Sequence, residues 1–307
     1  MWINKKQAAE NNSTAVQADV IQNLTIEQGL KPKEVEIYCL GLFESNFPRL
    51  RDAAAQQAEQ NIEIFAKRLK KEIEENVETI LIDKFSDPDV QFLLNDVVTK
   101  IARNGDKAHT EILIELIQNR ISKTSNDFDN LICNQAVTVI DKLTKAHIEL
   151  LAFIRIVNNF LPSIDLFSSI DEKKLILILK KIDNGVSFFG EVVNEAFDLS
   201  YIQAKYLESS GLLHFDNSPF SYSSTGMLHT KINNSEIVKY KIKEEELDKL
   251  IFDISKNYFV FLKTYDEIFK NNFVSLSFIE EKIADSYLKS KGLYKVFEKY
   301  RNFEYLE

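Results

Sequence analysis

Polar and apolar residues alternate strictly only near the start of this chain. Val16, Ala18 and Val20 are separated by polar residues, and Leu24 and Ile26 follow the same rule. A period of two predicts one or two short strands. A lone strand has unpaired backbone groups and a single apolar face, and both need partners. No other strand is predicted nearby, so the segment either pairs with the same segment of another subunit or docks on its own domain. From Pro32 the period becomes helical. Lys33–Asn46 is predicted as a first helix, with Val35, Leu42 and Phe43 among its apolar positions. Pro48 suits the first turn of a second helix, where its missing N–H costs nothing. That helix is expected to run to about Lys84, with a stripe of Ala58, Ile62, Phe65, Leu69, Ile73, Val77 and Ile80. At 1.5 Å per residue it would span on the order of 50 Å, which reads as a scaffold or an oligomer seam. The residues expected to carry self-association are therefore Val16, Ala18, Val20, Leu24 and Ile26 with Ile62, Phe65, Leu69 and Ile73.

Capping signals divide the chain beyond Lys84. Asp87-Pro88 starts a helix that Asn104-Gly105 closes, and Asp106 is expected to cap the next, which carries Ile112, Leu113, Leu116, Ile117 and Ile121. Thr124–Asp129 reads as a polar link. Helices are predicted at about Asn130–Lys142 and Thr144–Asn159, the latter capped by Thr144. Leu161-Pro162 ends this block, and 163–169 is the expected boundary. Asp171–Ile182, Phe188–Phe197 and Leu199–Ser210 read as three shorter helices, the last closed by Gly211. Leu212–Phe215 and Glu236–Lys241 read as strands joined by a Ser- and Asn-rich loop. Three helices and a hairpin form the pattern of a winged helix. A long helix over Glu244–Lys270, another over Leu276–Leu288 and an amphipathic tail complete the chain. The expected organisation is an N-terminal strand-like assembly segment (1–31), a helical domain (32–162) and a winged-helix-like domain with C-terminal helices (170–307). The fold class is mainly α with a small α+β element.

Composition supports that class. Among 307 residues there are only eight glycines and five prolines, which argues against an all-β fold and against glycine-rich phosphate loops. The longest apolar runs fall far short of the ~18 residues that cross a bilayer, and Met1–Glu10 holds no apolar signal run, so a cytoplasmic protein with no membrane contact is expected. The net charge is −9, which disfavours non-specific contact with nucleic acid or anionic lipid. Cys39 and Cys133 sit among apolar neighbours and read as buried thiols rather than a disulfide or a zinc pair.

Catalytic chemistry leaves no recognisable motif. The four histidines, His109, His147, His214 and His229, show no i, i+4 metal spacing and read as capping or surface residues. Carboxylate runs such as Glu72/Glu74/Glu75/Glu78 and Glu244-Glu245-Glu246 read as solvated helix faces. No nucleophile elbow, Walker loop or dinucleotide fingerprint is present, so no cofactor or metal is expected. The winged-helix pattern raises nucleic acid as an alternative. Gln203, Lys205 and Tyr206 on its third helix, with Lys231, Lys239 and Lys241 near the wing, are the contacts it would use. Glu208 and the lack of arginine on that helix weigh against it.

Several short segments resemble a bacterial family of uncharacterised helical proteins. They are Asn12-Ser13-Thr14-Ala15-Val16-Gln17-Ala18, the Asp87-Pro88-Asp89-Val90-Gln91 helix start, Arg103-Asn104-Gly105-Asp106-Lys107, Leu143-Thr144, and Tyr206-Leu207-Glu208-Ser209-Ser210-Gly211. The resemblance spans most of the chain. It departs in the C-terminal third, where Leu276-Ser277 stands in place of a Leu-Thr pair. The layout is also similar, more loosely, to abortive-infection-type phage-defence proteins that join a helical block to a winged-helix turn. Neither resemblance implies catalytic residues. Together they imply a bacterial or mobile-element origin, with phage defence as one setting the looser resemblance suggests. The expected function is a non-enzymatic, self-associating helical interaction protein with a further protein partner. The alternative is a nucleic-acid sensor or regulator using residues 171–243.

Overall fold

In the computed structural model the described residues are 32–160, 172–216, 223–233 and 243–301. They are mainly helical, with one two-stranded ladder. The chain divides into two compact units, residues 1–56 and 57–307. The predicted N-terminal strand lies outside the described residues. Helix α1 (Pro32–Glu75) is continuous. The expected break at Pro48 is absent, although an interior proline forgoes one backbone hydrogen bond. The helix also stops short of Lys84, and the Asn76 side chain donates to the Glu72 carbonyl at 2.8 Å in its last turn.

The second unit is built around one core. Helices α2 (Pro88–Asn104), α3 (Thr110–Ile121), α4 (Asp127–Val139) and α5 (Lys145–Phe160) follow α1. Asp87 caps α2 through the Asp89 N–H at 2.9 Å. Asp106 does not cap α3, whose start follows a 3-10 turn and His109 in the left-handed region. Asn126 and Asp129 form the capping box of α4, moving its start upstream of the expected position. Thr144 does cap α5, accepting the His147 N–H, while the Thr144 N–H donates to His147 Nδ1.

Helix α5 is apolar nearly all round and almost wholly buried, the pattern of a central helix. It packs most extensively against α11 (Phe278–Ser290), which also lies on α3 and α4. Arg155 of α5 is held by Asp285, Nε to Oδ1 at 3.1 Å, and by Glu281. The two blocks expected on either side of 163–169 therefore share a single core rather than forming separate domains. Residues 161–171 themselves lie outside the described residues.

Helix α6 (Glu172–Ser187) runs past its expected end, while 188–197, predicted as a helix, is a series of turns ending in a 3-10 turn, Asn194–Asp198. Buried side chains from other elements satisfy its backbone. The Glu195 N–H donates to Glu149 Oε2 at 2.7 Å, and the Val192 carbonyl accepts the Tyr287 hydroxyl at 2.7 Å. Helix α7 (Tyr201–Ser209) ends as expected at Gly211, with the Leu212 N–H returning to the Leu207 carbonyl at 2.8 Å.

The hairpin expectation is corrected at its loop, while its return strand lies outside the described residues. Strand β1 (His214–Phe215) pairs antiparallel with β2 (Val274–Ser275), His214 opposite Ser275, while 236–241 lies outside the described residues. The stretch read as a polar loop contains helix α8 (Ser224–Asn233). Its first turn is supported by Asp266, which accepts the Ser224 N–H at 2.7 Å, and by the Ser223 hydroxyl, which accepts the Gly226 N–H. The expected long helix over 244–270 is two, α9 (Glu244–Ile254) and α10 (Lys256–Phe269), broken at Ser255. Asp183 of α6 explains the break by accepting the Tyr258 N–H at 3.0 Å at the new N-terminus. Helix α12 (Tyr294–Arg301) closes the described chain.

Gly105 ends α2 at φ 54, ψ −128, a backbone region essentially reserved for glycine. An added Cβ there would also come within 3.0 Å of the Asn61 side chain. Gly105→Ala is expected to cost about 1–3 kcal/mol and to lower the melting temperature by several degrees. A variant that melts with the wild type would show that this turn is not strained.

Candidate interaction groove

Asn257, Val260, Phe261, Thr264 and Ile268 recur along α10 at spacings of three and four, which places them on one face of the helix. Facing them are the end of α6 and the following turns, then Phe197, Leu199 and the first turn of α7. Between these walls lie two open clefts of about 510 and 440 Å³, and Phe197 lines both. Over the lined stretch of α10, 257 to 268, the groove is on the order of 16 Å long, about three helical turns.

An aromatic cluster makes the floor. Phe153 of α5 meets Phe197 at 5.4 Å and Phe261 at 5.3 Å between ring centroids, and Phe197 meets Phe261 at 5.7 Å. Edge-to-face packing of this kind adds to the area the rings bury. Glu149 fixes the wall that carries Phe197 by holding the Glu195 N–H. The same carboxylate lies 3.2 Å from the Tyr287 hydroxyl and 3.4 Å from Lys145 Nζ. Burial pushes the Tyr287 hydroxyl well above the usual phenol range, with the Glu149 charge adding to it. It stays protonated and available as a donor.

The rim is mixed, with two large apolar side chains reaching solvent among polar ones. Ile202 is 78% exposed and Val260 46%. Glu191, Glu267 and Lys270 also line the clefts. Such a surface can take apolar side chains from another molecule, each fully buried one contributing about 1.5–3 kcal/mol. Among the described residues, no group of three or more His, Cys, Asp or Glu gathers as a metal site would require. No helix there is long and apolar enough to cross a membrane.

The residues expected to contact nucleic acid are distributed differently. Gln203 closes the capping box of α7, its side-chain oxygen accepting the Ser200 N–H at 2.9 Å. Lys205 donates to Glu208 at 2.7 Å and lies 4.0 Å above the Phe215 ring. The Glu208 hydrogen bond holds its ammonium above the usual lysine range. Tyr206 stacks on His147 with ring centroids 5.9 Å apart. Lys231 lies in α8, and Lys239 and Lys241 lie outside the described residues.

The self-association residues fare similarly. Val16, Ala18, Val20, Leu24 and Ile26 lie outside the described residues. Phe65 is buried in the core of its own unit, with Leu69 and Ile73 packed against it and Ile62 half-buried. Of that stripe, Phe65 faces the core of its own unit, while Ile62, Leu69 and Ile73 keep part of their surface exposed. Sequence reading missed the groove itself. Its one local signal is an isoleucine, Ile202, in the first turn of a capped helix.

A protein-family model described only as ":-like" matches residues 29–304. The chain belongs to that family. No curated protein and no solved structure matches it. The match carries no link to abortive-infection proteins.

Tyr206 rests on a buried histidine whose protonation has a definite sign. Burial lowers the His147 pKa from the usual 6.5, and its Nδ1 accepts the Thr144 N–H. A folded-state pKa below the unfolded one means that stability falls as pH drops through about 6.5 and levels off below the folded value. His147→Gln is expected to flatten this part of the stability–pH curve, measured by denaturation between pH 5 and 8. Parallel curves for the two proteins would contradict it.

Proposed function

We propose that the protein is a non-enzymatic helical interaction protein that self-associates and takes an apolar-anchored segment of a partner protein in the groove along α10. The observation that carries this reading is the exposure of Ile202, at 78%, on the rim of a groove with an aromatic floor. A large aliphatic side chain held in water beside a cleft carries an unfavourable hydration cost in the free protein that docking would relieve. The groove's length suits about three turns of an amphipathic helix, read through anchors at i, i+3 or i+4, and i+7. Its mixed rim, Glu191, Glu267 and Lys270, suits the polar border of such a contact.

The test places a photocrosslinking amino acid at position 202 of the full chain in its native cell. A discrete adduct is expected, and it should disappear when Val260→Asp is added. Val260 is half-exposed, so that change should shift stability by less than about 0.5 kcal/mol. An adduct pattern indifferent to Val260→Asp would remove the groove from the function.

A further inference from the structure

A second apolar surface lies away from the α10 groove, where α4 and α11 pack side by side. Phe128 at the start of α4 and Phe278 at the start of α11 are 53% and 64% exposed. Their rings meet edge to face, 5.3 Å apart at an angle of 84°. Leu131, one turn along α4, is 51% exposed. Two aromatics kept in water and in contact with each other bury little against their own core. From the full size of such side chains, the three expose on the order of 300 Å² of apolar surface, at the lower end of the largest patches that monomers carry. That suits the apolar centre of a standard face of about 800 Å² per partner, with a polar rim completing it.

Charge distinguishes the occupants. Asp127, exposed beside Phe128 on α4, has no ion-pair partner among the described residues, and neither has Lys282, one turn beyond Phe278 on α11. Each lacks at home what the other offers. A two-fold axis through the patch brings the same surface of one copy onto that of another, so residue i meets j and j meets i. One carboxylate and one ammonium beside a shared apolar centre meet that condition. A chain of net charge −9 has no global electrostatic reason to pair with itself, so the local pair and the aromatic centre must carry the contact.

We infer that the α4–α11 face is where a second copy of this chain docks, as an isologous contact centred on Phe128, Leu131 and Phe278 with Asp127 of each copy meeting Lys282 of the other. The inference rests on the self-association proposed above and names its surface.

The test is light scattering on the full chain from micromolar to several hundred micromolar, with circular dichroism as the check of folding. The wild type is expected to double its mass with concentration. Phe128→Asp with Phe278→Asp should weaken the dimer by about tenfold or more, as loss of central aromatics does. Asp127→Lys alone and Lys282→Asp alone should each weaken it, and the two together should restore it. The charge exchange decides the matter even if the aspartate variant fails to fold. An oligomer indifferent to all four substitutions overturns this face and leaves self-association standing. A wild type that stays monomeric at every concentration overturns both.

Discussion

The Arg155–Asp285 ion pair is the contact on which the arrangement of the second unit turns. Helix α5 is buried on nearly every side, yet it carries Arg155, Glu149 and His147. A buried charge without a partner costs several kcal/mol, so each of these side chains dictates what must lie beside it. Arg155 draws Asp285 and Glu281 of α11, and its guanidinium lies 5.7 Å from the Phe297 ring centroid. Glu149 draws Tyr287, the Glu195 N–H and Lys145. The C-terminal helices are thereby orientated on the N-terminal ones by charge as well as by apolar area.

The groove along α10 follows from the same network. Residues 188–198 form no long helix of their own, and Glu149 and Tyr287 hold them by the backbone at Glu195 and Val192. Phe197 is thus set against Phe153 and Phe261, and the gap between that wall and α10 stays open. Asp183 does the corresponding work on the other side by fixing the N-terminus of α10. The walls of the groove are thus held by polar side chains, Glu149, Tyr287 and Asp183, that do not line it.

Much of the helical architecture was legible because its signals are local. Asp87-Pro88, Thr144 and Gly211 act through backbone groups two to four residues away, and the structure uses all three as read. What could not be read depends on distant partners. Ser255 interrupts a helical pattern because Asp183 accepts an N–H there. Residues 188–197 stay irregular because Glu149 and Tyr287 satisfy them. Strand β1 pairs with Val274, far along the chain, and Tyr265 and Asn158 hold the Val274 backbone groups in place. The candidate site was the least legible part. The apolar stripe at Phe65 reads the same in sequence whether it faces its own core or another subunit, and only the structure shows Phe65 itself buried in its own core. The groove joins residues some sixty positions apart, for which periodicity carries no signal.

The separation of Arg155 from Asp285, 130 residues, also sets a schedule for synthesis. At roughly 5–20 residues per second, the carboxylate follows its arginine by on the order of ten seconds or more. Through that interval α5 is complete, but the helix that covers it does not yet exist. Its apolar surface and its unpaired guanidinium are exposed together on the nascent chain. The N-terminal helices can pack on one another as they emerge, but the face of α5 that α11 covers is completed only later. The full burial of α5, and the pairing of its arginine, wait on a helix made more than a hundred residues later.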